Sequence, residues 1–214
     1  MRRYEVHIDT PIDEVIDLAG RYIAVRRALA DALGDSSRLM REYASQALYD
    51  LACVQPELLV EFSDSCIDAL YRPEAPTRYN SLAIVQILAQ RDMRLVDRAW
   101  EGCEDCLYDE ESGTVRLAAF RLLALYGSTT PVRSEKAWLL ISDALRCYHG
   151  DPEFITMLNE FITMLKRNVS DKIKEEAREQ FAFNLENATG LVQKKAQEIV
   201  ACCVLASDND CEGE

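Results

Sequence analysis

The sequence predicts an all-α fold, an α-α superhelix (solenoid) of about ten helices that forms a single domain over residues 1–206. Three observations lead to this prediction. The chain contains only 8 Gly and 6 Pro among its 214 residues, which is few for a chain of this length. Apolar residues recur at i, i+3, i+4 and i+7, the spacing of an amphipathic helix. Two such helix patterns repeat with one shared period of 37–39 residues.

The first repeated pattern, termed helix A, has an apolar stripe that is preceded by a basic residue in its clearest copies. Those copies carry Arg41, Arg78 and Arg116, each six positions before a central apolar pair. The five central pairs are Ala47-Leu48, Ile84-Val85, Leu122-Leu123, Phe161-Ile162 and Ile199-Val200. We therefore expect five A helices, the last over about residues 190–205.

The second repeated pattern, termed helix B, places an aspartate among apolar residues. Its five copies are Leu29–Leu33, Cys66–Leu70, Cys103–Leu107, Ile141–Leu145 and Phe181–Leu185, and the last of them lacks the aspartate. The predicted order is a lone B helix over about residues 12–33, four A–B pairs and a closing A helix. A helix pair buries only part of its apolar surface, so stacking against neighbouring repeats completes the core.

Capping and turn signals agree with this order. Signals typical of a helix N-terminus are Thr10-Pro11, Asp151-Pro152 and Ser170-Asp171. Dipeptides at which one helix must end and another begin are Gln55-Pro56, Ala75-Pro76 and Thr130-Pro131. The boundaries inferred from apolar spacing are thus supported by independent local chemistry.

The charge balance restricts the class of partner. The chain has 37 Asp and Glu against 24 Lys and Arg, which gives a formal net charge of −13. Binding to a phosphate backbone normally relies on a basic surface that releases counterions, so we expect no nucleic acid and no membrane as partner. A basic or amphipathic protein or peptide suits this chain better. Residues 207–214 are rich in acids and are predicted to form a disordered tail.

Cytoplasmic localisation is expected, since no apolar run of signal-peptide or membrane-spanning length occurs in the sequence. The eight cysteines are predicted to be free thiols. Cys103 and Cys106 have the spacing of half a zinc site, but the second half is missing and the only histidines are His7 and His149. Both cysteines fall on core positions of helix B, so we expect small buried side chains, no metal and no cofactor.

The repeat length and the arginines of the A helices resemble HEAT repeats, with armadillo repeats close in length. Arg41, Arg78 and Arg116 each follow an acid in the preceding turn, which is similar to the Asp–Arg ladder that links successive HEAT units. The candidate acids are Asp35, Glu74 and either Glu110 or Glu111. The later A helices depart from the pattern, with Ile155 and Gln193 at the arginine position. The resemblance implies that B helices line a concave surface that holds partners.

Helical geometry places the aspartates of the B helices on the side opposite their apolar stripe. Asp31, Asp68, Asp105 and Asp143 are therefore predicted to form a row of carboxylates, which Asp64 and Glu101 widen. This row has two interpretations. It is either a set of solubilising residues on a wet helix face or an acidic stripe that binds a partner.

Trp100 and Trp138 occupy the same position in consecutive B helices, at the edge of the apolar stripe. Packing between repeats is one explanation, and a partly exposed aromatic contact for a partner is the other. Leu139 falls at the polar position of Asp64 and Glu101. Either the third repeat is more deeply buried, or an apolar spot interrupts the acidic row and suits an amphipathic basic helix.

The sequence therefore predicts a non-enzymatic scaffold or adaptor that binds a protein or peptide on its B helices. The predicted contact residues are Asp64, Asp68, Trp100, Glu101, Asp105, Trp138, Leu139 and Asp143. The alternative is a HEAT-like alkylpurine DNA glycosylase, a family that uses concave Trp and Asp residues. The corresponding residues would be Trp100, Asp105, Trp138 and Asp143. A row of aspartates would repel the DNA duplex that such an enzyme must hold, which disfavours this alternative.

Overall fold

The computed structural model describes residues 4–204, which form α-helices, 3₁₀ helices and turns without a strand. The twelve α-helices of this part of the chain are α1 (Ile12–Arg21), α2 (Ile23–Ala32), α3 (Arg38–Val54), α4 (Ser63–Asp68), α5 (Ala75–Ala89), α6 (Arg94–Arg98), α7 (Trp100–Leu107), α8 (Gly113–Gly127), α9 (Pro131–Cys147), α10 (Phe154–Leu165), α11 (Asp171–Asn187) and α12 (Gly190–Cys202). Two 3₁₀ helices span Pro56–Phe62 and Ala69–Tyr71. The all-α prediction is confirmed.

The chain divides into two compact units, residues 1–122 and 123–214, which we call unit 1 and unit 2. That residues 1–206 form a single domain stays a prediction. The acidic segment 207–214 lies outside the described residues. None of the helices between residues 4 and 204 combines the length and the apolar character that crossing a bilayer requires.

The predicted alternation of A and B patterns matches the helices. The A helices are α3, α5, α8, α10 and α12, and the B patterns fall between them. The leucine that closes each of the first four B patterns is at most 3% exposed; these residues are Leu33, Leu70, Leu107 and Leu145. The register that assigns faces to the helices is therefore confirmed for these four copies.

Three of the B patterns are broken into shorter pieces, so the helices outnumber the predicted ten. We use the term B segment for each of the five regions that carry a B pattern, whether the helix is continuous or broken. In the first, α1 and α2 are separated by Tyr22, whose backbone is extended at φ −125° and ψ 117°. Carbonyls at the end of α1 need hydrogen-bond donors at such a break. The buried Arg26 supplies one, since its Nη1 donates to the Ala19 carbonyl over 2.6 Å.

The second and third B segments are also discontinuous. In the second, α4 lies between the two 3₁₀ helices; in the third, Ala99 separates α6 from α7. Ala99 is only 1% exposed, so the buried stripe continues through the break. Apolar spacing identifies buried positions but does not report the local change in backbone, which is why the breaks were not predicted.

A ladder of ion pairs links the A helices of unit 1 to the turns around them. Arg41 donates to the backbone carbonyls of Asp35 and Ser36 in the turn before its own helix, over 2.6 and 3.1 Å. Its Nε and Nη2 atoms donate to the Glu74 carboxylate, which precedes the next A helix, with Nε 3.0 Å from Oε2. The Arg41 and Glu74 side chains are 12% and 5% exposed. This part of the predicted ladder is confirmed.

The next step of the ladder uses an acid that the sequence interpretation did not select. Arg78 pairs with Asp109, and not with Glu110 or Glu111, which are exposed. Asp109 also accepts hydrogen bonds from the backbone of Glu111 and Ser112, over 3.0 and 2.7 Å. Asp109 caps the backbone of this turn, and the same carboxylate is therefore held in place to pair with Arg78.

The core of unit 2 is built around stacked aromatic rings. Trp138 of α9 stacks on Phe161 of α10 with ring centroids 5.4 Å apart, and Phe161 stacks on Phe181 of α11 at 6.1 Å. All three rings are at most 5% exposed. Stacked aromatic pairs add to the stabilisation from burial. The side chains of α9, α10 and α11 are thereby fixed against one another.

Candidate interaction surfaces on the B segments

The predicted contact residues of unit 1 lie on the exposed side of the second and third B segments. Asp64, Asp68, Glu101 and Asp105 are exposed, and Trp100 is half-buried. The carboxylates therefore point away from the core, as helical geometry predicts. Exposure alone does not separate a solubilising row from a binding stripe, so the neighbours of each carboxylate matter.

Part of the acidic row is neutralised by arginines. Asp64 of α4 forms an ion pair with Arg98 of α6 in the next B segment. The preceding repeat has an equivalent pair in which the two charges are exchanged: Arg27 of α2 lies 4.0 Å from Glu61. Both pairs are largely solvent-exposed, so each contributes little to stability. Asp64 is consequently engaged within the chain, which the sequence interpretation did not anticipate.

Tyr71 is a candidate site residue that the sequence interpretation missed. It ends the second B segment and is 56% exposed. Its ring lies against Gly102 of α7, since a Cβ atom added at Gly102 would be 3.3 Å from the Tyr71 Cζ atom. The missing side chain at Gly102 allows this close approach. The solvent-facing Tyr71 ring thereby packs on the third B segment at Gly102, a residue that lies between Glu101 and Asp105 in sequence.

Three carboxylates influence the Tyr71 hydroxyl. Burial of the hydroxyl raises the pKa of Tyr71, and the negative charges of Glu101, Asp105 and Asp68 raise this pKa further. Within residues 4–204, none of these carboxylates forms an ion pair. Tyr71 and Asp105 also line a groove of about 420 Å³, whose charged lining residues include Glu110 and Glu111 as well as Arg72 and Arg78. We call Tyr71, Asp68, Glu101 and Asp105 the tyrosine–acid cluster.

The predicted contact residues of unit 2 differ widely in exposure. Trp138 is 5% exposed, and its Nε1 donates a hydrogen bond to Glu176 Oε2 over 2.6 Å. The Trp138 ring is thus packed within unit 2, as the packing interpretation expects. Leu139 is 72% exposed, so deeper burial does not explain it. Asp143 is half-buried, with Oδ1 3.8 Å from Arg146 Nη2.

Cys103 and Cys106 are buried and point to different backbone carbonyls. Their Sγ atoms each lie 3.6 Å from an acceptor, Ala119 O for Cys103 and Leu70 O for Cys106. Burial raises the pKa of Cys106 to about 12 and also raises that of Cys103, which keeps both as neutral thiols. In the part of the chain that the structure covers, no group of three or more His, Cys, Asp or Glu residues is placed to hold a metal ion.

No protein-family model matches the chain, and no curated protein matches it in sequence. Solved structures do match. A designed armadillo repeat protein gives a TM-score of 0.66 at 16% identity, over 92% of this chain and 97% of its own. Another designed armadillo repeat protein, in complex with the peptide (KR)4, gives 0.68 at 14% identity, over 92% and 96%.

The archaeal HEAT-like repeats protein from Thermococcus onnurineus NA1 gives a TM-score of 0.53 at 12% identity, over 92% of this chain and 93% of its own. The armadillo structures thus superpose better than this HEAT-like one. Armadillo units contain three helices, and the repeat that includes the third B segment likewise consists of three helical pieces, α5, α6 and α7. The chain therefore has an all-α helical-repeat fold of the HEAT and armadillo type.

Proposed function

We propose that this chain is a non-enzymatic protein-interaction module that binds a basic peptide segment of a partner at the tyrosine–acid cluster. The observation that carries the proposal is an exposed aromatic ring among three carboxylates that have no internal counter-ion in the described part of the chain. Arg78, which lines the same groove, is already paired with Asp109, so a basic residue of a partner would supply the counter-ion for these three carboxylates. The cytoplasm stays the predicted compartment.

The chemistry of the cluster favours lysine and arginine. A cation over a tyrosine ring is attracted by the negative face of the π system, with about 0.5–1 kcal/mol at an exposed site. Arginine can in addition donate paired hydrogen bonds to a carboxylate. The net charge of −13 would steer a basic segment toward the chain. The designed armadillo protein in complex with (KR)4 lends support, since it shows that a similar fold can hold a basic peptide.

The proposed contact set keeps Asp68, Glu101 and Asp105 from the sequence interpretation and adds Tyr71. Asp64 is paired with Arg98, and Trp138 is buried, so neither is proposed as a direct contact. The prediction that Trp100, Leu139 and Asp143 contact a partner stays open. Their surroundings differ from those of the tyrosine–acid cluster.

Titration with a fluorescent (Lys-Arg)4 peptide tests the proposal. We expect binding to the wild-type chain that weakens as salt is raised, because exposed charges are screened. Tyr71→Ala should weaken binding roughly two- to fivefold, since the cation–π contact is lost. Asp105→Asn should also weaken it, because one uncompensated carboxylate is removed. Fluorescence anisotropy measures both effects.

Two control variants match the tested residues in exposure. Tyr22 is also 56% exposed but lies in the first B segment, so Tyr22→Ala should leave the affinity unchanged. Asp13 is an exposed acid of α1, and Asp13→Asn removes one negative charge, as Asp105→Asn does. Equal effects of Asp13→Asn and Asp105→Asn would mean that the peptide responds only to total charge, and the cluster would be rejected as the site.

A further inference from the structure

A second surface feature lies entirely within unit 2 and is separate from the tyrosine–acid cluster. A groove of about 390 Å³ runs between α9 and α11. Two hydrogen bonds join its walls: the Trp138 indole donates to Glu176, and Gln180 Nε2 donates to the Ser142 carbonyl over 3.2 Å. Because these bonds link the two helices, the groove is formed before any ligand arrives.

One large apolar side chain is exposed in this groove, and a second is exposed on α11 beyond the groove lining. Leu139 of α9 lines it and is 72% exposed. Phe183 of α11 is 69% exposed and lies one helical turn beyond Glu179, which also lines the groove. Phe183 occupies the B-segment position that holds an aspartate in the other four copies. Exposed apolar residues that replace polar ones beside a groove are typical of interaction sites.

The charges around the groove define what else a ligand must carry. Glu179 is exposed, and among residues 4–204 it forms no ion pair. The other acid, Glu176, holds the Trp138 indole with one oxygen, and its second oxygen lies 3.9 Å from Lys172 Nζ. The basic lining residue, Arg146, lies 3.8 Å from Asp143. An acidic side chain in a ligand would therefore meet Glu179 unfavourably, whereas a basic one would complement it.

We propose that this groove binds an amphipathic helical segment of a partner protein. One apolar side chain of that segment covers Leu139, and a lysine or arginine about one turn away pairs with Glu179. The proposal does not depend on the basic-peptide site of unit 1, because no residue is shared between the two. Helix-in-groove recognition uses this combination of an apolar anchor and a flanking charge.

Selection from a random 14-residue peptide library displayed on phage tests the proposal. The bait is the Tyr71→Ala variant, so the outcome does not depend on the tyrosine–acid cluster. We expect enriched peptides that place a large apolar residue three or four positions from a lysine or arginine. Leu139→Ser should weaken their binding about tenfold, because the anchor loses its apolar contact. A Glu179→Lys bait should enrich acidic residues at the basic position instead.

Val132 provides the matched control, since it lies on the same helix as Leu139 and is 78% exposed but does not line the groove. Val132→Ser should not change the affinity of the selected peptides. Selected peptides that bind Leu139→Ser as well as the parent chain, or a selection without enrichment, would overturn the proposal. Sedimentation gives a further outcome. Self-association that Leu139→Ser abolishes would show that a second copy fills the groove, and the partner proposal would be rejected.

Discussion

Arg41 shows how one side chain can serve two turns at once. One guanidinium nitrogen closes the turn before α3, and two others bond Glu74 in the turn before α5. Because both side chains of this pair are little exposed, neither is well solvated if its partner is lost. Pairing with Arg41 lowers the pKa of Glu74 below its ordinary value of 4.5, and it raises the pKa of Arg41.

The lowered pKa predicts how the Arg41–Glu74 pair responds to acid. A group whose pKa is lower in the folded state contributes stability above its unfolded pKa, and this stability is lost as the pH falls through the folded value. Glu74→Gln should therefore lower the urea midpoint at pH 7. The gap between variant and wild type should narrow below about pH 4.5. Urea unfolding followed by circular dichroism at pH 7, 4.5 and 3 measures this.

Glu57→Gln is the control for this prediction, because the Glu57–Arg91 pair is about half exposed on both sides. Exposed pairs contribute little, so its urea midpoint should stay near that of the wild type at every pH. Equal urea midpoints of Glu74→Gln and Glu57→Gln at every pH would contradict the larger contribution to stability that we expect from the Arg41–Glu74 pair.

At the residue scale, the sequence predicted part of this ladder. Glu74 could be identified because it is the acid nearest the start of its A helix. Asp109, Glu110 and Glu111 are consecutive, and spacing cannot decide which of three adjacent carboxylates turns toward Arg78. The choice depends on which one caps the turn backbone, a property of local geometry that periodicity does not contain.

At the scale of helices, the apolar register was predictable and the backbone path was not. Breaks at Tyr22 and Ala99 leave the buried positions in place, so the pattern reads as continuous. Tyr71 was missed for a related reason. It lies at the end of a B segment, just outside the stripe that the register describes. Its partner across the repeat is a glycine, Gly102, whose absent side chain gives no signal in an apolar pattern.

Gly102→Ala tests the packing of Tyr71 against α7. The added carbon would be 3.0 Å from Leu70 Cβ and 3.3 Å from Tyr71 Cζ. Overpacking costs about 1–3 kcal/mol and alanine favours a helix by about 1 kcal/mol over glycine. We expect a net loss of stability of about 1 kcal/mol and weaker binding of the (Lys-Arg)4 peptide, measured by urea unfolding and anisotropy.

Gly20→Ala is the matched change in α1, where the new carbon would approach only the end of the flexible Gln55 side chain, 3.0 Å away. It should leave peptide binding unchanged and should not lower stability. A Gly102→Ala variant that is more stable than the wild type and binds the peptide normally would contradict the described contact between Tyr71 and Gly102.

At the scale of the whole molecule, charge separates protein partners from nucleic acids. With a net charge of −13, we expect no retardation of duplex DNA in a gel-shift titration at low salt, where electrostatic attraction would be strongest. The (Lys-Arg)4 peptide serves as the positive binding control in the same buffer. A retarded DNA band would argue against a protein-interaction module and would favour the glycosylase alternative.

Fold and site were predictable to different degrees for a physical reason. A repeat imposes the same burial on equivalent residues of several copies, so the apolar pattern that predicts the fold appears several times in the sequence. A site depends on departures from the repeat, and each departure occurs once. Phe183 in an aspartate position and Leu139 in a polar one are such departures. The sequence indicated Leu139, but the groove beside it forms between α9 and α11, and the pairing of these two helices is visible only in the structure.

The ladder of unit 1 has a consequence for how such a chain can change in length. Each repeat contributes both a donor and an acceptor for its neighbours, so equivalent parts are interchangeable. Arg41 and Arg78 are 37 residues apart, and excising that many residues would present Arg41 to the carboxylate that now receives Arg78. Loss or duplication of one whole repeat would thus leave each buried arginine of this ladder opposite a carboxylate.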